Sequence, residues 1–179
     1  MSSPKIPAFT LYGDAPGGAP PSLHIETIAA RSARHDWRIA SHLHRGLHQV
    51  LWVAEGSVRA SLGAETAEGR GPLALVIPPG FAHGFAFTPR TQGFVLTFDA
   101  RALLEGEGGA GATFADLFAA PRLVALGHEP ETAARMTGLL ADLAAECSAP
   151  DAAGSPAPLW LARAALWRLA RLAGTPPRS

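Results

Sequence analysis

HLHRGLHQVLWVAEG, residues 42–56, and the later VIPPGFAHGF, residues 76–85, decide how this chain is read. His42 and His44 stand two apart, and side chains alternate between the faces of a β-strand, so both imidazoles project from one face. His48 opens the next apolar run, in which Val50, Trp52 and Ala54 share its face and Leu51 and Val53 take the other. A Pro-Pro-Gly turn then leads to His83. Four of the seven histidines thus fall in two short segments.

Working outward, LHIETIA (23–29) and DWRIASHLH (36–44) alternate polar and apolar residues with period two and read as the first strands. HQVLWVAEGSVRASLG (48–63) reads as a hairpin turning at Gly56. ETAEGRG (65–71) reads as a second turn, PLALVIP (72–78) as a short apolar strand, and AHGFAF (82–87) and QGFVLTFD (92–99) as two more. Seven or eight strands punctuated by Gly and Pro, with no βαβ alternation between them, predict a small barrel or jelly roll.

Before the strands, residues 1–22 form a proline-rich arm in which Ile6, Phe9, Leu11 and Tyr12 are available to lie on the body. After them, LLEGEGGAGAT (103–113) reads as a connector, because it lacks the spacing of a phosphate-binding loop. The period then switches to about 3.6. TFADLFAA (113–120) predicts a short helix, and a longer one starts at Pro130 and buries Met136, Leu139, Leu140 and Leu143. The linker SAPDAAGSPAP (148–158) leads to a last helix, 158–174, whose apolar seam is Leu159, Ala162, Leu166, Leu169 and Ala173. The expected fold is α+β, mainly β: an arm (1–22), a barrel (23–100) and a helical region (113–174) able to pack on the barrel or on a second copy of the chain.

Composition narrows the function. Fifteen basic and fifteen acidic residues give zero formal charge, which leaves no electrostatic footprint for DNA or anionic lipid. Cys147 is the single cysteine, so an internal disulfide is excluded and a reducing compartment, the cytoplasm, is expected. No apolar run has the length of a membrane span. Neither a GxSxG elbow nor an HExxH helix occurs, so hydrolase chemistry has no support.

Inward imidazoles on a barrel have three readings. His42, His44, His48 and His83 suit a divalent transition metal such as Zn, Ni or Fe, because neutral imidazole is a common ligand for these ions. They equally suit an organic ligand, with Trp52, Phe85 and Phe87 as apolar walls, although Trp52 in mid-strand also reads as core. Hydrogen bonding to backbone or water is the third reading. Arg45, beside Gly46, offers a fork for a carboxylate, or is simply a solvated turn residue.

HLHRGLH with Gly56, and GPLALVIPPGFAHGF, resemble the two motifs of the cupin superfamily. The first pairs HxH with a third ligand, usually Glu, three or four residues on, and then a Gly. The second is G, five residues, PxG, two residues, H, and Gly71, Pro78, Gly80 and His83 carry it here with Leu73 to Ile77 between. His48 stands where metallo-cupins usually carry Glu. More broadly, IPAFTLYGD, HDWRIASHLHRGLHQVLWV, LVIPPGFAHGF and GFVLTFD resemble the sensor half of PobR-like transcription activators of the AraC type.

That resemblance implies a cupin barrel (a double-stranded β-helix or jelly roll) that binds an aromatic acid inducer such as 4-hydroxybenzoate for aromatic catabolism. It also implies a homodimer through the C-terminal helices. DNA would be bound only by a separate helix-turn-helix domain, which residues up to Ser179 do not supply. Sensing of this kind requires no cofactor and no catalysis. Two other functions share the histidines: a metallo-cupin dioxygenase with a three- or four-His centre, and a sensor whose ligand is the metal itself.

Overall fold

A computed structural model describes residues 23–103, 110–127, 129–149 and 154–174. The arm at 1–22, residues 104–109 of the Gly-rich connector and residues 150–153 of the linker lie outside the described residues.

Two antiparallel sheets face each other. The first has the order β1 (Leu23–Thr27), β8 (Gln92–Asp99), β3 (Leu47–Glu55), β6 (Leu73–Ile77) and β9 (Arg122–Ala125); the second has β2 (Arg38–His42), β7 (His83–Phe87), β4 (Ser57–Leu62) and β5 (Glu65–Arg70). Strand parity sorts the side chains into two cores. Leu51, Val53, Leu75, Ile77, Val95, Ile39, Ala60 and Phe85 fill the space between the sheets. Val50, Trp52, Ala74, Val76, Leu96 and Phe98 face outward, beneath a helical layer. That layer is α2 (Ala100–Leu103), α3 (Ala110–Leu117), α4 (Pro130–Ser148) and α5 (Ala157–Leu172), which bury Leu103, Phe114, Leu117, Met136, Leu140, Leu143, Leu166 and Leu169 on the sheet. The result is α+β and mainly β, a jelly-roll barrel followed by helices.

Four local expectations are corrected. β3 and β4 do not pair as a hairpin; β3 lies between β8 and β6, β4 between β5 and β7, and Gly56 (φ +94°) is the corner where the chain crosses between sheets. Period-two alternation looks the same whichever neighbour a strand takes. ETAEGR is strand β5 rather than a turn. It is the edge of its sheet, where both faces can stay polar. Residues 28–35 leave the sheet as α1 (Ile28–Ser32), N-capped by the Thr27 hydroxyl, which accepts from the Ala30 N–H at 3.1 Å, and a 3-10 turn (Ala33–His35). β9, four residues long, extends the first sheet beyond the barrel, and α3 begins at Ala110, three residues before the predicted start.

Candidate functional site

His42 reaches the barrel interior because β2 carries a bulge. Ile39 pairs with Phe85 and His42 with His83, so three steps along β2 answer two along β7, and the extra residue turns His42 onto the inner face. The partner position that accepts the bulge is Gly84. A Cβ there would lie 2.9 Å from the Ile39 carbonyl oxygen and 3.0 Å from the Ser41 nitrogen, both backbone atoms. His44 is pinned from the other motif: the Gly80 N–H donates to the His44 carbonyl at 2.7 Å, with Gly80 at φ +79° in the turn after Ile77. The two histidine segments are therefore locked to each other through backbone.

His42, His44 and His83 converge, each about 1% exposed, with one ring nitrogen of each within 4.8 Å of the others. Ring centroids are 5.0 Å apart for His42–His44, 4.4 Å for His42–His83 and 5.6 Å for His44–His83. The His42 Nδ1–H donates to the Ala40 carbonyl at 2.9 Å, and the His83 Nδ1–H donates to the Phe81 carbonyl at 2.8 Å. A carbonyl only accepts, so in both rings the proton is on Nδ1 and the lone pair on Nε2. The His83 Nε2 is buried with no hydrogen-bond partner among the described residues.

Burial drives both imidazoles far below the ordinary histidine range, to about 3 for His42 and about 4 for His83, against the opposing pull of their carbonyl partners. Neutral rings, oriented through Nδ1 by backbone carbonyls and presenting Nε2, are the arrangement divalent transition metals take. The trio fits such an ion.

The same shifts fix a pH dependence. Unfolded histidine titrates near 6.5, so between about pH 6.5 and 4 the unfolded chain binds protons that the native His42 and His83 refuse. Stability rises with pH across that window and is lost as pH falls through it. Metal-free protein should therefore show a melting temperature that drops steeply from pH 7 to 4.5, and a His42→Gln/His83→Gln variant a flatter profile. Parallel profiles for the two proteins would refute this.

His48, expected with the others, lies elsewhere. Positions 47, 49, 51 and 53 of β3 face inward, so His48 faces the helical layer, stacked on Phe98 (5.4 Å between centroids) and edge-on to Phe118 (4.9 Å). Burial lowers its pKa, with Asp99 opposing. Trp52 shares that outer face; its indole N–H donates to the Thr137 Oγ1 of α4 at 3.0 Å, making it helix-packing core and not a wall of the interior. Arg45 is exposed in the turn before β3. Phe85 does line the interior, 5.6 Å from His83 and 5.8 Å from Phe87 between ring centroids.

Three interior residues escaped the sequence reading. Gln49, about 1% exposed, donates from Nε2 to Thr97 Oγ1 at 3.2 Å, while its Oε1 has no hydrogen-bond partner among the described residues. It stands five positions after His44, with four residues between, and seven positions before Gly56, so the motif's spacing could have found it in place of His48. Arg31 and Glu26 form an ion pair. In the second motif, six residues rather than five separate Gly71 from Pro78, Pro72 being the extra one.

The barrel is a jelly roll of two antiparallel sheets. No protein-family model matches the chain, and no curated protein does. Among solved structures, it is similar to the AraC-like transcriptional activator CuxR (8% identity, TM-score 0.47), with 75% of this chain and 45% of that one covered. The chain thus spans less than half the length of that activator. It is also similar to a cupin-2 domain containing protein from Shewanella frigidimarina (14% identity, TM-score 0.33, 43% of this chain and 68% of that one). A third is Bacillus subtilis oxalate decarboxylase, a protein with Mn(II) centres (15% identity, TM-score 0.31, with 43% of this chain and 24% of that one covered). Among the described residues, no helix is long and apolar enough to cross a membrane.

Proposed function

We propose that this chain is the effector-sensing module of an AraC-type transcription activator, a cytoplasmic cupin barrel that binds an aromatic acid, with 4-hydroxybenzoate as the first compound to try. One observation carries the reading: the interior sets three convergent imidazoles beside an apolar run of Phe85 and Phe87. An aromatic acid has the same division, a ring that needs apolar walls and polar ends that need donors or a cation. A divalent metal held by His42, His44 and His83 would add a Lewis-acidic point of attachment for the carboxylate. The helical layer supports pairing with a second copy. Trp160 and Trp167, 65% and 38% exposed, stand seven residues apart on α5 and so share a face. Contact with DNA belongs, on this reading, to a separate helix-turn-helix domain.

Calorimetric titration of 4-hydroxybenzoate, with the protein as purified and after chelation, tests the proposal. Saturable binding of one acid per chain is expected, with the ligand recovered unchanged. Heat lost on chelation would place the metal between protein and acid, whereas absence of binding in both samples would remove this inducer. The three-histidine cluster also favours a second reading, a metallo-cupin dioxygenase, and oxidised ligand on recovery would establish it instead.

A further inference from the structure

Arg31 has the structure's most unusual placement of charge. Among the described residues it is the only buried lysine or arginine, 8% exposed, and it sits on α1 with Ile28 and Ser32, the other buried residues of that helix. Ile28 belongs to the core between the sheets. The face of α1 that carries Arg31 is thus turned into the barrel. Its ion-pair partner Glu26 is directly opposite Val95 in register, and His24 is opposite Thr97; Val95 belongs to the inter-sheet core and Thr97 bonds the inward Gln49. Opposed residues share a face, so Glu26 and His24 stand on the inner side of β1, at the open edge of the sheet, where their side chains are 22% and 39% exposed.

His24 Nε2 lies 3.6 Å from the same Glu26 oxygen that Arg31 engages. Burial alone would raise the Glu26 carboxyl, but the neighbouring His24 imidazole and the Arg31 charge outweigh it and hold the group below the usual carboxylate range. A single exposed turn would not explain this arrangement. Taking a guanidinium out of water costs several kcal/mol, and a lone surface pair would not require it.

We infer that Arg31 is the anion anchor of the barrel: its guanidinium, steadied by Glu26, binds the carboxylate of a ligand that enters between the sheets, taking the role that sequence alone suggested for the exposed Arg45. A guanidinium carries five N–H donors in a planar fork and can serve two carboxylates at once, so Glu26 and the ligand share it. Glu26 also offsets the buried charge when the barrel is empty. The selectivity that results is for acids over their amides and esters, since a neutral headgroup gains nothing from the charge.

The inference rests on the reading of the barrel as an acid-binding site, and the test separates the two. Thermal stabilisation and calorimetric affinity would be measured for formate, acetate, benzoate and 4-hydroxybenzoate, each against its amide, on wild type, Arg31→Gln and Arg31→Lys. Arg31→Lys keeps the charge opposite Glu26, which protects folding, while it loses the fork. Wild type should prefer at least one acid to its amide; that preference should fall about 10- to 100-fold in Arg31→Gln and by a lesser factor in Arg31→Lys, with amide binding unmoved. Simple carboxylates bound through Arg31 while 4-hydroxybenzoate is not would uphold the anchor and overturn the inducer. Binding of 4-hydroxybenzoate undiminished in both variants would overturn the anchor and leave the sensor. Equal losses for acid and amide would reduce Arg31 to a structural residue, and no acid bound by wild type would end both.

Discussion

Alanine at His83 should lower the affinity of the barrel for Zn²⁺ or Ni²⁺ on the order of 100-fold, whereas alanine at His48 should leave it within about twofold. Protein sites with four zinc ligands bind with about 10–16 kcal/mol, so one ligand represents roughly 3 kcal/mol, or two decades. His83 is placed to contribute fully, with Nδ1 committed to the Phe81 carbonyl and Nε2 buried beside His42 and His44. His48 is separated from them by the thickness of β3. Its loss should appear instead as about 1–3 kcal/mol of stability, because the ring fills the contact between Phe98 and Phe118. Competition against a chromophoric chelator gives the affinities and urea denaturation the stabilities. Metal affinity that survives His83→Ala, or falls equally in His48→Ala, would show that the trio is not the centre.

The contrast between His83 and His48 also shows what the sequence could and could not disclose. Alternation in residues 48–54 correctly sorts Val50, Trp52 and His48 onto one face and Leu51 and Val53 onto the other. Both faces of that strand are buried, one against the opposite sheet and one under helices, so alternation could not say which face was the interior. Placing His48 with the other histidines took the outer face for the inner one, and of the two readings of Trp52 the core is the one that this face supports. His42 and His83 were legible through the HxH and PxG spacing, but the bulge that turns His42 inward has no signal of its own beyond the glycine opposite it. β5 was hidden by its polarity. Arg31 was hidden more deeply, since nothing local distinguishes it from Arg34 or Arg38; its burial follows from where α1 closes on the sheets.

The largest effect on folding should come from a single methyl group at Gly93. In β8 this residue is directly opposite Val53 of β3, at φ +153°, and a Cβ there would lie 1.9 Å from the Trp52 carbonyl oxygen and 2.9 Å from its carbonyl carbon. Both are backbone atoms of the adjacent strand, so no rotamer change relieves the clash; β8 and β3 must part. The Ile28 Cδ1, also 2.9 Å away, closes the remaining space from α1. Gly93→Ala should therefore cost more than about 4 kcal/mol, a large part of the 5–15 kcal/mol that holds a domain of this kind together. Gly46→Ala, where nothing lies within 4 Å, should change stability by no more than about 0.5 kcal/mol. Denaturation followed by tryptophan fluorescence compares the two, and a Gly93→Ala midpoint indistinguishable from wild type would contradict the close approach of the strands. The consequence reaches the site, because this strand pair supplies Gln49 and Thr97, and β8 backs the Glu26 that holds Arg31. Any Gly93→Ala protein recovered in folded form should bind both metal and acid more weakly, although its three histidines are intact.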